Sequence, residues 1–432
     1  MLAMGKGLNI SYSDVFDNPT VIDLAALALS QGHKEESKKE DLVPIKQGLE
    51  NNVIAKVDEV TEGLADFKVI LLTGATGFLG IHILHELLVN SKAKILALVR
   101  GSKTISGKER LHGLLEYYFD NPFIEEMDER VQILEADVTN ENLLDVLKDV
   151  KFELIVNCAA VVKHFSNSDA IEKVNFGGVK NLIEVALEHK ARLVQVSTLS
   201  VAGENVDHKF PKEKRIHETE IFFGQDVSNK YINSKIKAEE ALIEAVNDRG
   251  LDAKVVRVGN LMGRARDGEF QVNSGTNNFM ATIRAYKKLG VFPVSAADST
   301  IDFSPIDEVA KTILLLAKTK KDFTIFHSAN SHEIELGDVI AAMNDFGYPI
   351  AMVDDETFMA KLNEYMSDEE KQMDVSCLIS YNSSESVARE YILSDNSFTI
   401  KALYRLGYKW PITDEKYLDR SIASLSTLGF FE

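Results

Sequence analysis

The chain has 432 residues, 45% of them hydrophobic, and sets 48 lysines and arginines against 67 aspartates and glutamates, for a formal net charge of −19. That length calls for more than one ordinary domain, and that charge argues against a surface for nucleic acid. No apolar run approaches the roughly 18 residues that cross a bilayer and no basic-then-apolar leader opens the chain, so no membrane association and a cytoplasmic location are expected. Cys158 and Cys377, the two cysteines, suit neither a disulfide framework nor a metal site.

Residues 1–30 read as a short unit in which Ser13 caps a turn and Pro19-Thr20 precede an apolar helix from Val21 to Leu29. Residues 31–65 read as a linker, rich in lysine and glutamate at first and with helix expected within 42–66. From Lys68 the pattern becomes regular. Short β-branched runs occur at Val69 to Thr73, Lys94 to Val99, Val131 to Glu135, Leu154 to Cys158, Leu193 to Ser197, Lys254 to Val258 and Thr324 to His327. Most are almost continuously apolar, as strands buried on both faces require. Helical periods at Leu79 to Asn90, Ile171 to Glu188 and Tyr231 to Val246 supply the crossovers. The fold class is therefore α/β, a doubly wound parallel sheet of Rossmann type over 66–263, with later elements to about 330 returning to it. Residues 264–432 read as a smaller, mostly helical substrate domain over the sheet's carboxyl edge. Within it, the polar stretch from Arg264 to Asn278 has the composition of a mobile lid.

The first strand runs into Thr73-Gly74-Ala75-Thr76-Gly77-Phe78-Leu79-Gly80, a glycine turn that opens a helix. In that setting Gly74 permits a tight turn, Gly77 lets backbone approach a pyrophosphate, and Gly80 lets helix pack on strand. Gly74, Thr76, Gly77, Phe78, Leu79 and Gly80 are thus candidates for binding a dinucleotide. The second strand ends at Arg100, where proteins that bind NAD carry an acid for the ribose hydroxyls. A guanidinium there suits a 2′-phosphate, with Lys103 and Arg110 near enough to assist, so NADPH is the expected cofactor. Asp137 and Val138 after the third strand are candidates for the adenine edge. Asn157, Ala159 and Ala160 after the fourth have the small side chains needed where backbone passes close to the cofactor.

Of the twelve tyrosines only Tyr231 has a lysine, Lys235, four residues on. On a helix the two share a face, which places an ammonium to lower the phenol's pKa and to reach the cofactor's ribose. Tyr231 is the candidate acid catalyst. The fifth strand runs out into Ser197-Thr198-Leu199-Ser200, setting hydroxyls at the sheet's carboxyl edge.

The combination of Gly74-x-x-Gly77-x-x-Gly80, Asn157-Cys158-Ala159-Ala160, Ser197-Thr198 and Tyr231-x-x-x-Lys235 resembles the extended short-chain dehydrogenase/reductases over about 66 to 330. That resemblance implies a catalytic triad of Thr198, Tyr231 and Lys235, with Ser197 and Ser200 as alternative hydroxyls. Further stretches look like the terminal thioester reductase domains of nonribosomal peptide synthetases and carboxylic acid reductases. These are Leu98-Val99-Arg100, Val161-Val162-x-His164, Val174-Asn175-x-x-Gly178, Arg257-Val258-Gly259-Asn260-Leu261-Met262-Gly263 and Phe303-Ser304-Pro305-Ile306-Asp307. Residues 7–25 are similar to the last part of a peptidyl carrier protein, which implies a chain that begins inside a carrier of a larger synthetase.

The resemblance implies that NADPH reduces a phosphopantetheine-bound acyl or peptidyl thioester to an aldehyde, or further to an alcohol, with a peptidyl carrier protein as partner and docking on 264–432. It also offers Asn175 as orienting a relay water and Arg257 and Asn260 as lining the substrate entrance. Two alternatives stand beside it: an epimerase or dehydratase of nucleotide sugars, and a non-catalytic NADP-binding sensor.

Overall fold

A computed structural model of the protein describes residues 49–162, 169–206, 208–272, 278–368, 370–381 and 389–432. The carrier-like segment, most of the linker and His164 lie outside the described residues.

The regular part begins with β1 (Val69–Thr73), α1 (Phe78–Asn90), β2 (Lys94–Val99), α2 (Gly107–Tyr118) and β3 (Val131–Glu135). It continues with β4 (Leu154–Asn157), α3 (Gly178–His189), β5 (Arg192–Thr198), α4 (Lys230–Arg249), β6 (Ala253–Val258), α5 (Ile306–Leu316) and β7 (Ile325–Ser328). The strands form one sheet in the order β7-β6-β5-β4-β1-β2-β3, every neighbouring pair parallel. Side chains alternate across a strand, so Ile70 and Leu72 enter the core beneath α1 and α5 while Leu71 enters the core beneath α3 and α4. Each fully buried aliphatic side chain contributes about 1.5–3 kcal/mol, against a few tenths per residue from helix propensity. The two cores, not the helices' own preferences, hold the layers.

β3 departs from the expectation of a strand buried on both faces: its residues are half-buried or exposed, because it is the sheet's edge. The single helix expected over Ile171 to Glu188 contains a π-helical turn at Lys173–Gly177, at which the buried Asn175 side chain bonds to the Val161 backbone. Helix in the linker is a 3-10 helix at Ile54–Thr61. Just before it, the Asn52 side chain bonds to Ile325 O and Thr324 N beside β7.

Chain order reverses at β1, whose neighbours are β2 on one side and β4 on the other. The crevice between the turns that follow β1 and β4 is where such sheets bind ligands. Beyond Met262 a third core forms around Phe270, Tyr286, Phe292, Tyr417 and Phe431, and Phe78 packs against both it and the core under α1. The later chain is not one block. After β7 it returns again, pairing Arg389–Tyr391 with Glu204–Val206 and Leu393–Ser394 with Arg215–Ile216, and laying Ser397–Arg405 against Ile54–Thr61 and β7. Among the described residues no helix is long and apolar enough to cross a membrane.

Candidate active site

The turn after β1 is shaped by three glycines with different neighbours. Gly74 has φ +70°, and a Cβ there would lie 2.6 Å from both Cys158 C and Ala159 N, so the turns after β1 and β4 touch through it. A Cβ on Gly80 would run into the Gly74 carbonyl group, 2.7 Å from its carbon, whereas one on Gly77 meets only Gly74 O, at 3.3 Å. Gly77 is the N-cap of the thirteen-residue α1, with no capping side chain and no acid in the first turn. The first-turn amides of Phe78, Leu79 and Gly80 therefore present uncompensated positive potential beside an open position, which suits a pyrophosphate.

A cationic corner adjoins this cradle. Ser106 and Glu109 form a capping box that starts α2. From α2, Arg110 Nη1 donates to Arg100 O at 3.1 Å and Nη2 to Thr76 Oγ1 at 3.3 Å. Arg100 and Lys103 are exposed beside it. The structure thus brings the Arg110 guanidinium against the Thr76 hydroxyl and the Arg100 carbonyl, a cationic corner whose charge suits a 2′-phosphate.

Other candidates sit beneath the cradle. Asn157 is buried; its Oδ1 accepts from Thr73 Oγ1 and from Ala159 N at 3.2 Å, and its Nδ2 donates to Gln195 Oε1 at 2.6 Å. It ties the carboxyl ends of β1 and β4 to the middle of β5. Ala159 and Ala160 follow it as half-buried small residues. Asp137 Oδ1 accepts from Thr139 N at 2.9 Å and Thr139 Oγ1 at 2.8 Å, closing its own turn, while Val138 is buried in the core under α3. Burial pushes the Cys158 thiol up to about 12.

The carboxyl edge of β5 and the first turns of α4 carry the proton chemistry. Asn229 caps α4, accepting from Tyr231 N at 3.0 Å and Ile232 N at 3.2 Å. Tyr231 is 6% exposed and shares a hydrogen bond with the Thr198 hydroxyl. Thr198 Oγ1 lies 3.1 Å from Ser200 Oγ and accepts from Ser200 N at 3.1 Å. The Lys235 amine, 5.9 Å from the centre of the Tyr231 ring, donates to Val196 O at 3.1 Å. The expected lowering of the phenol by this ammonium is corrected here. Burial pushes Tyr231 up to about 12, opposed by its bond to Thr198. A phenol so raised keeps its proton at neutral pH and can deliver it only to an oxygen gaining charge. Burial pulls Lys235 down to about 8, opposed by Glu239 and then Cys158.

Two further expectations change, those for Arg257 and for the stretch after Gly263. Arg257 does not line the entrance; it is a β6 residue with no exposed surface, and its guanidinium pairs with Glu239 at 2.6 Å. Asn260 is exposed and fixed by Asp302, which accepts from Asn260 N at 2.9 Å and Nδ2 at 3.0 Å. Asn175, which donates to Ser234 Oγ at 3.1 Å besides its bonds to Val161, holds the backbone. The lid composition of Arg264 to Asn278 gives no loose segment over 264–270. There Arg264 pairs with Asp267 and Glu269, Ala265 N donates to Asp307 Oδ1 at 3.0 Å, and Tyr417 OH donates to Gly263 O at 2.8 Å. Residues 273–277 lie outside the described residues.

Sequence reasoning missed Glu239, which accepts from Ser197 Oγ at 2.5 Å and from Arg257. Its signal was available: it stands one further helical turn beyond Tyr231 and Lys235 on the same face.

A parallel sheet with this order and a glycine turn opening its first helix is a Rossmann-type dinucleotide-binding fold, and the Thr198, Tyr231 and Lys235 arrangement at its carboxyl edge is of the short-chain dehydrogenase/reductase kind. Residues 72–313 match the model of an NAD-binding family described as male sterility protein, and the chain belongs to that family, whose cofactor is NAD(P)H. A thiolation-reductase di-domain from an archaeal non-ribosomal peptide synthetase is 33% identical with a TM-score of 0.83, the match covering 100% of this chain and 90% of that one. The reductase domain of the aureusimine biosynthetic cluster is 26% identical with a TM-score of 0.72, over 86% of this chain and 93% of that one. The glycine betaine reductase ATRR of Emericella nidulans is 28% identical over 66% of this chain. The chain spans only 23% of that relative's length.

Proposed function

We propose that the protein releases an acyl or peptidyl chain, held as a thioester on the phosphopantetheine of a peptidyl carrier protein, by NADPH-dependent reduction to the aldehyde, in the cytoplasm. The observation that carries this reading is the buried Tyr231 bonded to Thr198 at the carboxyl edge of β5, with the Lys235 amine on the same helix face. The likeness to solved reductase domains of peptide synthetases supports the choice of a thioester over other carbonyls.

Bound NADPH supplies the hydride that reduces the thioester carbonyl carbon. The α1 amides and Gly77 would hold its pyrophosphate, Arg100 and Arg110 its 2′-phosphate, and Lys235 the ribose beside the nicotinamide. Tyr231 gives its proton to the carbonyl oxygen as charge builds there, and the Thr198 hydroxyl steadies the same oxygen. The resulting hemithioacetal collapses: its hydroxyl gives up its proton as the C=O bond forms, the C–S bond breaks, the sulfur takes up one proton as the thiol, and the aldehyde leaves. Arg100 at the end of β2 disfavours the nucleotide-sugar alternative, which retains its NAD and calls for an acid at that place.

Incubation with NADPH and a short acyl-pantetheine thioester tests the proposal. Stoichiometric loss of NADPH with trapped aldehyde or alcohol is the expected result, and an unreacted thioester under conditions where NADPH binds would overturn it. Arg100→Asp should cut the preference for NADPH over NADH by about 10- to 100-fold, as loss of a charge-assisted contact implies. Paired kcat/KM values for the two cofactors check this, and an unchanged ratio removes Arg100 from the site.

A further inference from the structure

Behind the proton donor lies a buried chain of charge that the reaction as described does not use. Tyr231, Lys235 and Glu239 follow one another on a single face of α4, at successive turns. Glu239 has no exposed surface. Its Oε2 takes the Arg257 guanidinium at 2.6 Å from Nη2 and 3.1 Å from Nε, and its Oε1 takes the Ser197 hydroxyl at 2.5 Å. Arg257 is held from the far side by His327 Nε2 at 3.0 Å and by Glu220 O at 2.8 Å. His327 in turn is fixed through Nδ1, 2.6 Å from Asp395 O. One carboxylate therefore grips the strand that carries Val196 and Thr198 and stands one turn along α4 from the Lys235 amine.

We propose that Glu239 is a positioning residue for the reaction: clamped by Arg257, its carboxylate keeps the buried Lys235 amine in its ammonium form and aligns β5 so that Thr198 meets Tyr231. The geometry supports it: Glu239 stands one turn beyond Lys235 on the same face of α4 and is bonded both to Ser197 on β5 and to Arg257 on β6. An ammonium in a buried site needs a nearby negative charge to persist. Glu239 is the chief group opposing the burial that draws Lys235 down to about 8. Among the described residues, the groups facing the amine are few. Tyr231 and Glu239 come from its own helix and Cys158 from the turn after β4. The β5 edge offers Val196 O and the Ser197 and Thr198 hydroxyls, the π-helical turn offers only neutral Asn175 bonded to Ser234, and Arg257 on β6 and His327 on β7 stand beyond Glu239. On the opposite side of α4, Lys237 pairs with Glu172.

The sign follows directly. The ammonium is present below its pKa and lost above it, so removing the negative charge of Glu239 brings that loss to lower pH. Glu239→Gln keeps the shape and the Ser197 bond but strands Arg257 without its partner, a costly arrangement. The double variant Glu239→Gln with Arg257→Met leaves neither charge behind. Two readouts apply: the titration of Lys235 followed by NMR of lysine labelled with 13C at Cε, assigned with Lys235→Met, and the alkaline limb of the kcat profile for reduction of the acyl-pantetheine thioester. The second rests on the proposed function, whereas the first needs no substrate, so a wrong substrate and a wrong role for Glu239 fail separately. In the double variant both midpoints should fall by about one pH unit or more. A folded double variant that titrates as the wild type does would overturn the proposal. So would a wild-type Lys235 already neutral at pH 7, a measurement that requires no variant to fold.

Discussion

Tyr231→Phe should lower kcat for thioester reduction by about 10²- to 10⁴-fold, the usual cost of a lost acid catalyst, while NADPH affinity stays within about threefold of wild type. The ring is buried against the core under α3 and α4, so the substitution keeps its packing and deletes only the hydroxyl that meets Thr198. Burial holds the phenol up near 12, so the lost group is a proton donor throughout the neutral range. Fluorescence titration of NADPH and single-turnover reduction separate the two effects. Turnover close to wild type would remove Tyr231 from the chemistry.

Gly74→Ala is expected to be the most damaging single methyl group at the cradle. The position has φ +70°, which costs an alanine about 1–2 kcal/mol. Its new Cβ would also stand 2.6 Å from the backbone of Cys158 and Ala159, where no side chain can swing aside. Forcing the turns after β1 and β4 apart adds about 1–3 kcal/mol of overpacking, for a combined loss of about 2–5 kcal/mol, and spoils the floor on which a pyrophosphate would rest. Urea denaturation and NADPH titration of the same variant should both show the change. A protein of wild-type stability that still binds NADPH would mean that the two turns are not held in contact.

The parts of this architecture that repeat along the chain were legible in the sequence. The run Val69 to Thr73 and the helical period from Leu79 to Asn90 coincide with β1 and with α1 to within one residue, because periodicity is a local property. What escaped depends on neighbours distant in sequence. Asn157 reads as a ligand residue at a strand end, yet its amide serves Thr73 and Gln195, which only the strand order places beside it. Arg257 looks like an entrance residue until Glu239, eighteen positions earlier, and His327, seventy later, close over it. The effect of Lys235 on Tyr231 was misread for a related reason. Spacing reveals that the groups are close, but not how dry their surroundings are, and dryness dominates both side chains. The polar composition of Arg264 to Asp267 likewise conceals that these charges pair with one another and with the body of the protein.

The repeated return of the later chain to the sheet has a mechanical meaning. Polypeptide passes between the sheet and the third core after Met262, again on either side of α5 and β7, and again around Arg389–Arg405, so several covalent crossings join the two regions. Rotation of one region against the other would strain the strand pair Leu261–Met262 with Ser304–Pro305, which lies where Met262 and Phe303 of the third core adjoin Leu261 and Ile306 of the core under α1. The two regions are therefore tied together at several places along the chain. Under the proposed function, the reach of a carrier-bound chain to Tyr231 would then depend on the length of its tether.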